Sequence, residues 1–112
     1  MITYEDFEKV DIRVGKVIEV SDFPEARKPA FKLKVDFGLE IGIKQSSVQA
    51  VGAHGREELL NSLVCCVINL PSKRVGPFTS EVLTLGFRNN MGNGWVLIEP
   101  KNGSVDLGSK LA

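Results

Sequence analysis

Two segments hold most of the groups able to bind something. One is Ile43-Lys44-Gln45-Ser46-Ser47-Val48, and the other runs from Pro71 to Glu81 with Ser72, Lys73, Arg74, Phe78, Thr79 and Ser80. Lysine and arginine meet phosphates, while glutamine and hydroxyl side chains exchange hydrogen bonds, so the chemistry is that of recognition rather than bond breaking. Each segment begins where a hydrophobic run gives out, a place where a rigid strand delivers side chains to water. Both are expected to be exposed strand ends that contribute to one docking surface.

Catalytic residue types are sparse. His54, the only histidine, lies in Gly52-Ala53-His54-Gly55 without a nucleophile or second metal ligand at a telling spacing, and is read as a surface-loop residue. Glu57-Glu58 reads as the wet side of a short helix rather than a paired acid and base. Gly15-Lys16 falls inside a strand pattern and is no phosphate-cradling loop. No enzyme activity, cofactor or metal site is expected.

The chain has 112 residues, 43% of them hydrophobic, which suits one domain over 1–112 with one core. Lys plus Arg number 14 and Asp plus Glu number 14, so no global field drives the molecule onto nucleic acid or an anionic membrane. Affinity for a polyanion must come from local clustering. No run approaches the roughly 20 apolar residues of a membrane span, and no basic segment followed by an apolar run opens the chain. A soluble cytoplasmic protein without membrane insertion is expected. Cys65 and Cys66 are neighbours in an apolar run, point to opposite faces, and are read as buried free thiols.

The elements that must position these groups follow from periodicity. Thr3 can cap a short helix with Asp6 three residues on and Tyr4 and Phe7 on one face. From Val10 the period becomes two, with Val10, Ile12, Val14, Ile18 and Val20 on one side of a long strand whose middle holds Gly15, where a small barrel must bend. Pro24 to Pro29 is a loop. Phe31, Leu33, Val35 and Phe37 form a half-buried strand with Lys32 and Lys34 on its wet face; Gly38 turns the chain. Leu39, Ile41 and Ile43 are expected to form the next strand, with Lys44 to Ser47 as its exposed tip. Arg56 to Asn61 suits a short helix, and Leu63 to Leu70 a central strand ended by Pro71. Val82 to Leu85 and Trp95 to Ile98 give two short strands around the turn-rich Asn89 to Gly94, and Val105 to Leu111 a final one. This order is that of a five-stranded OB-fold barrel with its helix between strands 3 and 4; an SH3-like barrel is the alternative.

Asp11-Ile12-Arg13-Val14-Gly15-Lys16-Val17, Phe23-Pro24-Glu25-Ala26-Arg27, Ile41 to Ser47 and Lys73 to Leu83 together resemble the tRNA-binding OB-fold family, and more closely its CsaA-type secretion chaperones. The resemblance covers nearly the whole chain, with the four blocks in order; only the neighbourhood of Gly94-Trp95 departs from it. It implies a homodimer with N- and C-terminal extensions at the subunit contact, an export-related chaperone binding unfolded or precursor polypeptides, or alternatively a free-standing structure-specific tRNA-binding protein. The residues it points to are Arg27, Lys28, Lys32, Lys44, Gln45, Ser46, Ser47, Lys73, Arg74, Phe78 and Ser80 for RNA or peptide, with Tyr4 and Phe7 at the dimer contact.

Solvated wet-face lysines are the plainer reading for Lys32 and Lys34; for Lys44, Lys73 and Arg74, binding is favoured. Phe23 reads as a core plug, and Phe78 equally as a core plug or as a presented ring for base stacking or peptide anchoring.

Overall fold

The computed structural model describes residues 1–112. Its elements are α1 (Tyr4–Glu8), β1 (Ile12–Asp22), β2 (Phe31–Asp36), β3 (Ile43–Val48), α2 (Arg56–Leu59), β4 (Leu63–Val67), β5 (Lys73–Val75), β6 (Phe78–Ser80), β7 (Leu83–Thr84), β8 (Gly86–Arg88) and β9 (Trp95–Leu97). Five strands form one antiparallel sheet in the order β3-β2-β1-β4-β7, and two hairpins, β5-β6 and β8-β9, flank it. The sheet curls into a nearly closed barrel, the OB fold expected, with α2 between β3 and β4.

Strand β1 serves both halves of the barrel. Its first half, Ile12 to Lys16, pairs with β4, and its second, Lys16 to Asp22, with β2. The handover falls beside Gly15, whose added Cβ would stand 2.5 Å from Val35 Cγ1 and 2.8 Å from the Phe37 ring. A register shift between Val17 and Glu19 follows. This bulge overturns the simple alternation: the inward residues are Val14, Val17 and Val20, whereas Ile18 faces solvent. An extra residue in one strand exchanges the faces beyond it.

The expected third strand is also corrected. Leu39 and Ile43 are exposed, the chain turns through Gly38 and Gly42 at positive φ, and β3 is built from Ile43–Val48 itself. The polar segment is therefore the strand and not its tip.

The core gathers Val17, Val20, Phe31, Leu33, Val35, Phe37, Val48, Val64 and Val82, among others. Cys65 and Cys66 are both buried free thiols, and burial pushes the Cys66 thiol up to about 12, against a partly offsetting hydrogen bond from Thr84.

The helix α1 carries the expected capping box of Thr3 and Asp6. The tail adds no regular strand. Instead Gly108, Ser109 and Leu111 hydrogen-bond to Val14 and Ile12 along the β1 edge that β2 leaves free, and the Arg13 guanidinium spans Asp11 at 2.6 Å and the Gly108 carbonyl at 2.9 Å.

Candidate functional site

The β6-β7 segment reaches β3 without a regular ladder, so side chains close the barrel there. Gln45 exchanges main-chain hydrogen bonds with Glu81, donating to its Oε1 at 3.1 Å and accepting from its N–H at 2.8 Å, while Gln45 Nε2 donates to the Thr79 carbonyl. The Ser47 N–H donates to Ser80 Oγ at 3.1 Å, and the Ser46 and Thr84 hydroxyls share a hydrogen bond of 2.9 Å. Three expected ligand-binding residues are thereby reassigned. Ser46 is fully buried, Ser80 is buried, and Gln45 is occupied, so these groups seal the barrel seam.

Phe23 and Phe78 pack edge to face, with centroids 5.4 Å apart, and Lys32 Nζ lies 5.4 Å from the first ring and 6.0 Å from the second. Phe23 is the core plug expected. Phe78 is half-buried beneath an ammonium group, so the notion of a freely presented ring is corrected. The pair does structural work of another kind: it ties the β5-β6 hairpin to the β1-β2 loop, where a Cβ on Gly76 would lie 3.8 Å from Glu25 Cβ. Arg27 and Lys28 on the loop, Lys32 on β2, and Lys73 and Arg74 on β5 thus come to one end of the barrel. None of these five forms an ion pair, whereas Lys34 is held by Glu19 at 3.4 Å.

Lys44 stands apart from Lys32. Ser47 is paired with Lys32, and Lys44 lies three positions back along β3, opposite Val35. That offset is about 10 Å of strand. Lys44 lines a depression of about 400 Å³ with Lys34, Glu19 and Glu81, where two ammonium groups are matched by two carboxylates.

A larger cleft, about 460 Å³, opens between the C-terminal end of β3 and the segment Ser80 to Gly86, and Lys73 and Trp95 also line it. Leu70, Leu83 and Trp95 on its walls remain 48%, 50% and 38% exposed. Sequence reasoning missed this feature. Its signals, a tryptophan after an asparagine-rich turn and a leucine before Pro71, look like ordinary strand and turn residues until the barrel brings them together.

The His54 expectation is corrected as well. Its side chain is only 13% exposed, Nδ1 lies 2.7 Å from Glu58 Oε2, and Nε2 accepts the Leu97 N–H at 3.1 Å. An acceptor at Nε2 requires the proton on Nδ1, which donates to Glu58. Both nitrogens are thus used in pinning β9, and with it Trp95, to the α2 connection.

At the N-terminus, Tyr4 is 90% exposed, Phe7 is half-buried and Ile2 and Val10 are exposed, and no residue of α1 is buried.

Residues 12–110 match the model of the family described as "Putative tRNA binding domain". Among curated relatives, the methionine–tRNA ligase of Pyrococcus horikoshii is 36% identical over 110 residues, 98% of this chain and 14% of the ligase. That of Bacteroides fragilis is 37% identical over 93 residues, 82% of this chain and 13% of the ligase. The chain therefore spans a small part of the length of these relatives. Among solved structures, a CsaA chaperone protein from Picrophilus torridus is 49% identical with a TM-score of 0.90, both chains being covered in full. A chaperone CsaA from Bacillus anthracis str. Ames is 41% identical with a TM-score of 0.91, covering 100% of this chain and 99% of that one.

Proposed function

Because the chain belongs to the tRNA binding domain family, and within it to the CsaA proteins, we propose that it is an export-related chaperone that binds unfolded or precursor polypeptides. The observation that carries this is the cleft between β3 and β7, whose exposed leucine and tryptophan walls suit apolar side chains of an unfolded chain. The proposal includes cytoplasmic residence and a homodimer in which Tyr4 and Phe7 cover each other's exposed surface. Light scattering is expected to return twice the 12.3 kDa chain mass; a monomer at micromolar concentration would overturn the dimer.

A second reading, a structure-specific tRNA-binding protein, is favoured by the unpaired group of Arg27, Lys28, Lys32, Lys73 and Arg74 together with the family. Such a surface would meet the phosphate backbone and read tRNA by shape. The two readings separate in one experiment. Trp95→Ala is expected to weaken binding of an unfolded precursor about tenfold, since it removes a large apolar contact, and to leave tRNA binding unchanged. If tRNA binds at submicromolar affinity with a steep salt dependence while unfolded precursors do not bind, the chaperone proposal is lost.

A further inference from the structure

Most of the β3 edge facing the β6-β7 segment is occupied, and the part that is not lies in the large cleft. The residues of β3 whose main-chain groups point away from β2 are Gln45, Ser47 and, one step beyond the strand, Gln49, as their bonds to Glu81, Ser80 and Trp95 show. Ser47 uses its N–H on Ser80 Oγ, and Gln49 uses its carbonyl on the Trp95 N–H at 3.0 Å. This leaves the Gln49 N–H, which has no partner, close to the Ser47 carbonyl, which accepts a long 3.3 Å bond from the Ser46 hydroxyl. One acceptor and one donor thus flank Val48, on residues whose Cα atoms are roughly 7 Å apart along an extended edge. Both residues line the cleft.

We infer that this edge takes one extended polypeptide segment by main-chain pairing, with an apolar residue against Trp95 and Leu83 and an acidic residue beside Lys73. The inference rests on the polypeptide-binding proposal and names the ligand chemistry of that cleft. A donor and an acceptor at this spacing match the carbonyl and N–H of a peptide in β conformation, the way strands are added to open sheet edges. The charges agree. Glu81 is engaged by the Gln45 N–H, whereas Lys73 is exposed on the cleft wall without a carboxylate partner, so the complementary group on the ligand is anionic. Apolar walls give an RNA backbone little to hold there.

The test uses the full chain and a short fluorescein-labelled peptide with a central Leu-Asp pair among Ser, Thr and Gly. N-methylation is moved along its backbone one residue at a time. At the position that donates to the Ser47 carbonyl, affinity is expected to fall about tenfold, the weight of one well-placed hydrogen bond whose partner is left buried. Replacing the Asp by Lys is expected to weaken binding by a similar factor, and the Gln49 amide is expected to exchange more slowly with the parent peptide bound. Equal affinity at every methylated position overturns main-chain pairing while the chaperone proposal stands. The same holds if a denatured precursor binds and the parent peptide does not. If neither binds, the chaperone proposal falls with it.

Discussion

Reversing Arg27, Lys28 and Arg74 together to Glu is expected to weaken tRNA binding about 100-fold near 100 mM salt, at about 0.9 kcal/mol for each charge turned from attraction to repulsion. The plot of log affinity against log salt should become shallower by about 0.7 to 0.9 for each phosphate contact removed, and the loss should be uniform across tRNAs. These three residues are chosen because they belong to the basic end of the barrel yet lie outside the large cleft, which Lys73 lines. Polypeptide binding should therefore survive in the triple variant. Lys34→Glu and Lys44→Glu provide the contrast. The first starts from a residue already paired with Glu19, and the second from one that shares a depression with Glu19 and Glu81. Each should cost severalfold at most. If either matches the triple variant, or the salt slope stays unchanged, the cluster at the Phe23-Phe78 end is not where phosphates bind.

The fold was largely legible because its signals are local. Alternation at Phe31, Leu33, Val35 and Phe37 and the apolar run from Leu63 each describe one strand facing one core, and those elements stand where periodicity put them, except that β4 ends at Val67 and not at the expected stop, Pro71. The bulge at Ile18 was illegible because it depends on how Val17 and Glu19 meet β2, a matter of closure rather than composition. The site was less legible for a related reason. Gln45, Ser46, Ser47 and Ser80 carry the same polar groups whether they meet a ligand or substitute for a missing ladder, and only the approach of β6 to β3 decides. Trp95 gains meaning from Gln49 and Leu83, residues that lie beside it only once the barrel has formed. His54 looked like a loop residue because both of its partners, Glu58 and Leu97, needed the connection to fold back.

Gly15→Ala should be a strongly destabilising single-methyl change. The new Cβ would stand 2.5 Å from Val35 Cγ1 and 2.8 Å from two atoms of the Phe37 ring. Neither neighbour has room to retreat, since Val35 is 0% and Phe37 1% exposed, and both strands involved are locked in the ladder where β1 passes from β4 to β2. Overpacking of this kind costs about 1 to 3 kcal/mol when the surroundings can shift, and this site is at the stiff end of that range. For a domain of this size a loss of about 3 kcal/mol lowers the melting temperature by roughly 10 to 15 °C. Gly103→Ala adds the same methyl to open space, with nothing within 4 Å, and should melt within a degree or two of the parent. The mechanism has its own check in Val35→Ala, which removes the nearest clashing atom. The Gly15→Ala/Val35→Ala double variant should lose less than the sum of the two single losses, because one methyl takes space the other vacates. Strict additivity, or a Gly15→Ala protein that melts with the parent, would mean that β1 bends elsewhere and that Gly15 does not set the close approach on which the barrel depends.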